Sequence, residues 1–229
     1  MALICEEQMV LGKVSQVGKN VKGAGIVAAI SALGVLSAGA PALAHHAMGE
    51  ETPSNFFEGF LSGLAHPIIG VDHLAFVVGI GLIAAGRAGG VFIPAVFVVA
   101  AMVGTGIHLL IVNVPAVEIA IALSVIGGGL LLVLKPQPAI QTPVLAILAA
   151  PAGLFHGYAY GESIVGAEMT PLVAYLAGFT AIQFGIAMAA LYAGNLLKNK
   201  GVEPELLKRF AGGAICLIGG VFLSLSVAG

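Results

Sequence analysis

Charge is what this sequence has least of. Of its 229 residues only 9 % are Asp, Glu, Lys or Arg, while 59 % are apolar; a soluble domain averages about a quarter charged residues. Nine basic and eleven acidic side chains cannot cover a water-facing surface. An ordinary cytosolic globule, a disordered chain and a nucleic-acid binder are all excluded. Tryptophan is absent and there are two cysteines, Cys5 and Cys216. They have neither metal-finger spacing nor the density of a disulfide framework; Cys216, in a late apolar run, reads as a small packing residue. The six methionines form no run, so neither a thiolate nor a thioether path for copper is in view. No G-x-x-x-x-G-K-[ST] motif is present, so the chain does not hydrolyse ATP, and no H-E-x-x-H helix marks a metalloprotease.

What the chain does have is long, unbroken apolar runs, 33 glycines and a mean hydropathy of +1.07. Continuous rather than alternating apolar runs, with glycines for close helix packing, indicate an all-α integral membrane bundle and not a β-barrel. The N-terminal end reads as a cleavable signal peptide. Lys13, Lys19 and Lys22 precede an apolar stretch from Ile26 to about Gly39, followed by Pro41 and the small-residue site Ala42-Leu43-Ala44. Residues 1–44 would be removed, leaving residues 45–229 as one transmembrane domain that begins with His45 and His46. A span needs about 20 largely apolar residues. Six are expected: about Phe57–Gly86, Val91–Val112, Val117–Leu134, Ile140–Tyr160, Pro171–Leu196 and Phe210–Ala228, separated by short turns rich in Gly and Pro.

Arg87, Lys135, Lys198, Lys200, Lys208 and Arg209 are the basic residues after position 44, and all follow the first, third or fifth span. Lys and Arg collect on the cytoplasmic side. The expected placement is therefore a multi-pass protein of the inner (cytoplasmic) membrane with both mature termini outside. Glu50, Glu51, Glu58, Glu118, Glu162 and Glu168 lie on or near the outer face, where they would concentrate a cation.

Ionisable groups within a span cost about 2.5–3.5 kcal/mol each on insertion scales and read as functional by default. The first span holds His66-Pro67-Ile68-Ile69-Gly70-Val71-Asp72-His73. In one continuous helix His66 and His73, nearly two turns apart, would share a face. Asp72 would project elsewhere, to a neighbouring helix or to the second nitrogen of an imidazole. Pro67 kinks the helix and Gly70 allows it to unwind or a partner to come close. The fourth span holds Phe155-His156-Gly157-Tyr158-Ala159-Tyr160-Gly161-Glu162, with Gly157 and Gly161 permitting tight packing, expected on the first span. The second span contributes His108. Counted from the outer face at 1.5 Å per residue, His66, His156 and His108 share the outer half of the membrane, while Asp72 and His73 lie about 10 Å further in, as a next station. Imidazole with carboxylate suits a divalent first-row metal: nickel, cobalt, zinc or copper. His45 and His46 at a free amino terminus would add a capture site outside the membrane.

His66-Pro67-x-x-Gly70-x-Asp72-His73, together with Phe155-His156-Gly157-x-Ala159-x-Gly161-Glu162, resembles the two signatures of the HupE/UreJ family of nickel and cobalt permeases. The signal peptide, the His-starting mature end and the six-span layout are similar too. The resemblance implies uptake of Ni²⁺ first, Co²⁺ next, from the periplasmic side to the cytoplasm, with no ATPase domain and no resident cofactor. It carries over His66, Asp72, His73, His156 and Glu162 as motif residues; His108 belongs to neither motif. The partners implied are the metal ion and the bilayer, and no catalysis is expected. Two readings from other classes stand beside it: a structural or assembly subunit of a membrane complex, and an intramembrane metalloenzyme. If residues 1–44 are a signal peptide, N-terminal sequencing of the protein purified from membranes will begin at His45; a chain still beginning at Met1 contradicts this.

Overall fold

The structure is a computed structural model that describes residues 52–134, 140–199 and 204–228. The expected signal peptide, His45, His46, Lys135 and Lys200 lie outside the described residues. All regular structure among the described residues is helical: α1 (Phe56–Ile69), α2 (Val71–Ala84), α3 (Phe92–Leu109), α4 (Val117–Val133), α5 (Thr142–Gly161), a single 3-10 turn (Glu162–Ile164), α6 (Met169–Asn199) and α7 (Pro204–Ala228). The six apolar segments read from the sequence are each helical, and the first is not one helix. It divides at Gly70 into α1 and α2, which meet at 80°. α3, α5, α6 and α7 are long and apolar enough to cross a membrane, the bent α1–α2 pair qualifies as a fifth crossing if its halves count together, and α4 is a shorter apolar helix.

Local chemistry explains both ends of the broken segment. Asn55 caps α1, its side-chain oxygen accepting from the Glu58 N–H at 3.0 Å, while the Glu58 carboxylate accepts from the Ser54 N–H at 2.9 Å. The Asn55 bond satisfies an N–H that a helix start leaves open, and the Glu58 bond ties the chain just before the cap onto the first turn. Near the other end Pro67 brings no N–H, so one backbone hydrogen bond to the preceding turn is missing and the helix is already weakened. Gly70 then turns out of helical geometry at φ −70°, ψ 96°. Its N–H still bonds the His66 carbonyl and its carbonyl accepts from Leu74. The break therefore leaves little backbone unpaired, which is what allows it inside an apolar bundle.

α2 is the centre of the bundle. Phe76, Val77, Ile80, Ile83 and Ala84 are buried, against α3, α4, α6 and α7. Around it the outer helices pair: α3 with α5, α4 with α7, and α1 with α6. Glycine makes the pairs close. A Cβ at Gly157 would fall on the backbone of Ala101, and one at Gly104 on the carbonyl of Leu154. The partner of Gly157 and Gly161 is thus α3, where Gly161 meets the Cβ of His108. The expected packing on the first span is corrected: the first span's own glycine, Gly63, is used against Tyr175 on α6 instead. Cys216 packs as expected, its Sγ against Gly129 and 3.5 Å from the Ile126 carbonyl.

Large apolar side chains remain on the outside, among them Phe92, Leu110, Ile111, Ile147 and Val227; a surface so apolar suits lipid and not water. Arg87, Lys198 and Lys208 line one cavity of about 370 Å³ at a single end of the bundle, with Glu205 beside them. Arg87 donates to the carbonyls of Ile83 and Ile140, at 2.8 and 2.9 Å, tying the end of α2 to the start of α5. Burial draws its pKa below the ordinary guanidinium value, although an arginine stays charged. The close α3–α5 contact generates a stability test. Gly157→Ala has no space for its methyl group and should destabilise the protein by about 1–3 kcal/mol or more, read as a lower midpoint of thermal unfolding in detergent. Gly127→Ala, where nothing lies within 4 Å, should be neutral or slightly stabilising. Equal midpoints for the two variants would contradict the packing.

Candidate metal centre

The bend at Gly70 decides where the imidazoles meet. Along a straight helix, seven residues advance about 10 Å. With the chain folded back, the His66 and His73 rings lie 6.4 Å apart at their centroids and nearly parallel. His73 also sits 4.7 Å from His156 on α5. His73 is therefore the middle ring of one cluster and not part of a deeper station, which corrects the straight-helix expectation. Tyr160 stands against both histidines of the first segment, 4.6 Å from the His73 ring and 5.1 Å from that of His66. Phe76 and Phe97 close the far side of His156, at 4.7 and 5.6 Å.

All three imidazoles are buried, His156 completely. Each outer ring is held by a serine on another element. The Ser163 hydroxyl lies 2.8 Å from His66 Nδ1, and the Ser124 hydroxyl, from α4, lies 2.9 Å from His156 Nε2. Three polar atoms of the cluster are buried without a hydrogen-bond partner: His73 Nδ1, His156 Nδ1 and the Tyr160 hydroxyl. An unsatisfied buried polar group costs about 1–3 kcal/mol, and three of them lie together on neighbouring rings. Among the described residues no three His, Cys, Asp or Glu side chains stand close enough to hold a metal ion as they are.

Asp72 is buried beside the cluster in a role different from the expected one. Because α2 starts afresh after Gly70, Asp72 falls in its first turn. Its Oδ1 accepts from the His73 backbone N–H at 2.9 Å, where the helix dipole favours a carboxylate. The His73 Nδ1 is 3.8 Å away, beyond hydrogen-bond length, so Asp72 does not hold that imidazole by hydrogen bond. It does place a carboxylate next to the central ring. Glu162 is exposed at the start of the 3-10 turn, one residue before the Ser163 that holds His66. Glu118 is exposed at the start of α4. His108 is half-buried on α3, its ring 4.5 Å from that of Tyr158. Tyr158 in turn donates to the Val112 carbonyl at 2.8 Å, pinning a turn in which Ile111 and Ala116 take positive φ.

Sequence reasoning passed over Ser124, Ser163, Tyr160, Tyr175 and Gln183. Tyr175 donates to the Tyr160 carbonyl at 2.8 Å, and Gln183 is fully buried with its side-chain oxygen unpartnered. The signal was available in each case as a hydroxyl or amide within an apolar run, although such groups are cheaper to insert than charges and attract less notice.

The HupE / UreJ protein family matches residues 23–222. The chain belongs to the HupE/UreJ family. A curated relative, Protein HupE of Rhizobium leguminosarum bv. viciae, is 33 % identical over 190 residues, covering 80 % of this chain and 91 % of the relative. No solved structure matches. Both motifs read from the sequence fall inside the matched region, so the cluster of His66, His73 and His156 is built from the part of this HupE/UreJ chain that the family shares.

Proposed function

We propose that this protein is a permease for a divalent transition-metal ion, nickel first and cobalt next, carrying it from the outer face to the cytoplasm through six crossings, with α1–α2 as a broken first span. The observation that carries the proposal is the succession of rings His66, His73 and His156, with His73 at 6.4 Å from the first and 4.7 Å from the last and unpartnered Nδ1 atoms on His73 and His156. Imidazole is a preferred ligand for borderline first-row metals, and a buried, unused nitrogen lone pair is a group that an ion would satisfy. Two nitrogens on one ion sit roughly 3–4 Å apart, so the rings draw together when the cargo arrives. The Asp72 carboxylate beside His73 offsets part of the ion's charge. Membership of a family associated with nickel and cobalt transport supports the same reading.

The end lined by Arg87, Lys198 and Lys208 is the cytoplasmic one on this account. Between the trio and that end lies a second cavity of about 370 Å³, reached at Ser124 and walled by Phe76, Ile80, Ile83, Leu131 and Leu145. It has no imidazole or carboxylate in its lining. A dehydrated divalent ion finds no ligand there, so the wall must open for each transit, and motion rather than a static pore sets the rate. Glu162 and His108 serve the outer approach.

Cellular nickel accumulation tests the proposal. Cells expressing the full chain should accumulate nickel well above an empty-vector control. His73→Ala or His156→Ala should reduce the excess at least tenfold while the protein still reaches the membrane, since lost outer-shell partners alone cost about 10–100-fold in affinity. His108→Ala should do less. No excess accumulation, or near-normal accumulation by both cluster variants, would refute it.

A further inference from the structure

The Ser124 hydroxyl has two polar neighbours, the Ile121 carbonyl oxygen at 2.7 Å and His156 Nε2 at 2.9 Å. A hydroxyl has one hydrogen to give. The carbonyl oxygen can only accept, so that hydrogen points to Ile121. The opposite assignment would set two oxygens 2.7 Å apart with no hydrogen between them. Toward His156 the serine therefore offers lone pairs alone, and Nε2 must be the donor. A neutral imidazole carries one N–H, so its lone pair is on Nδ1. In this neutral form Nε2 is closed to an ion and Nδ1 is the nitrogen that can be offered. That atom is buried and has no hydrogen-bond partner.

We infer that Ser124 is a positioning residue that holds His156 in its Nε2–H form and aims the Nδ1 lone pair at the transported ion. The ion half of this inference rests on the permease reading; the tautomer half stands on the two hydrogen bonds alone. Ser124 lies on α4, outside both sequence motifs, and it also lines the apolar cavity toward the basic end. The residue that orients the last ring of the trio is thus at the junction between the trio and the way out. A movement of α4 that opens that cavity would loosen the same hydrogen bond, coupling release of the ring to opening of the path. The device is the outer hydrogen bond that commonly fixes which imidazole nitrogen meets a metal, supplied here by a hydroxyl whose own hydrogen is taken by its helix.

The experiment uses the full chain in detergent micelles with ¹⁵N-labelled histidine. In the metal-free protein the His156 signals, assigned by their loss in His156→Ala, should show hydrogen on Nε2. Hydrogen on Nδ1 with a bare Nε2 overturns the inference whatever the protein transports. Nickel titration is the second arm. Ser124→Ala should weaken Ni²⁺ binding by about 10–100-fold, and Ser124→Thr, which keeps the hydroxyl, should restore it. Unchanged affinity in Ser124→Ala, or failure of Ser124→Thr to restore it in a folded protein, overturns the positioning role. Wild-type protein that binds no Ni²⁺ overturns the permease reading and the ion half with it, while the spectrum still decides the tautomer.

Discussion

The 80° break between α1 and α2 is the constraint on which the rest of the structure depends. A helix interrupted inside an apolar bundle exposes backbone groups that hydrocarbon cannot solvate, so the break must be satisfied from within. Gly70 does this by bonding back to His66 and forward to Leu74, and Asp72 by accepting the N–H of His73. The residues that make the break tolerable are therefore the motif residues or their neighbours. The same geometry sends His73 back toward His66, so that one short stretch of chain supplies two rings of the trio. Without the bend those rings would be about 10 Å apart along an axis.

Close packing holds the third ring in place. His156 is on α5, whose backbone approaches that of α3 closely because glycine stands on both helices at the contact. In lipid, helices gain nothing from hiding apolar surface from water, and contact between small residues is what holds pairs together. Thr105 adds a cross-helix hydrogen bond to the Gly157 carbonyl at 2.7 Å, one residue from His156. Position along α5 is thereby set by the α3 contact and rotation of the imidazole by Ser124 on α4, so the ring answers to two different helices.

Much of this was legible in the residues. Apolar runs separated by Arg87-Ala88-Gly89-Gly90 and Asn113-Val114-Pro115 mark the helical segments, and all of them are helices. The cost of placing His66, Asp72, His73 and His156 in apolar surroundings singles them out, and all four are buried. What hydropathy does not encode is direction. Pro67 and Gly70 warned of a weak point, but the angle comes from α2 packing at the centre of the bundle, and with it the return of His73 to His66. The partner of Gly157 was equally hidden, since a small residue permits contact without naming who makes it. Ser124 escaped notice because an uncharged hydroxyl in a helix usually bonds its own backbone, as this one does, and only the structure reveals the ring on its other side.

Nickel K-edge X-ray absorption on the purified, nickel-loaded full chain tests most directly the claim that the trio grips the ion. The imidazole scattering should correspond to three rings and fall to two in His73→Ala and in His156→Ala, while His108→Ala leaves it unchanged. A spectrum dominated by solvent oxygen, or one that neither cluster substitution alters, would contradict the account.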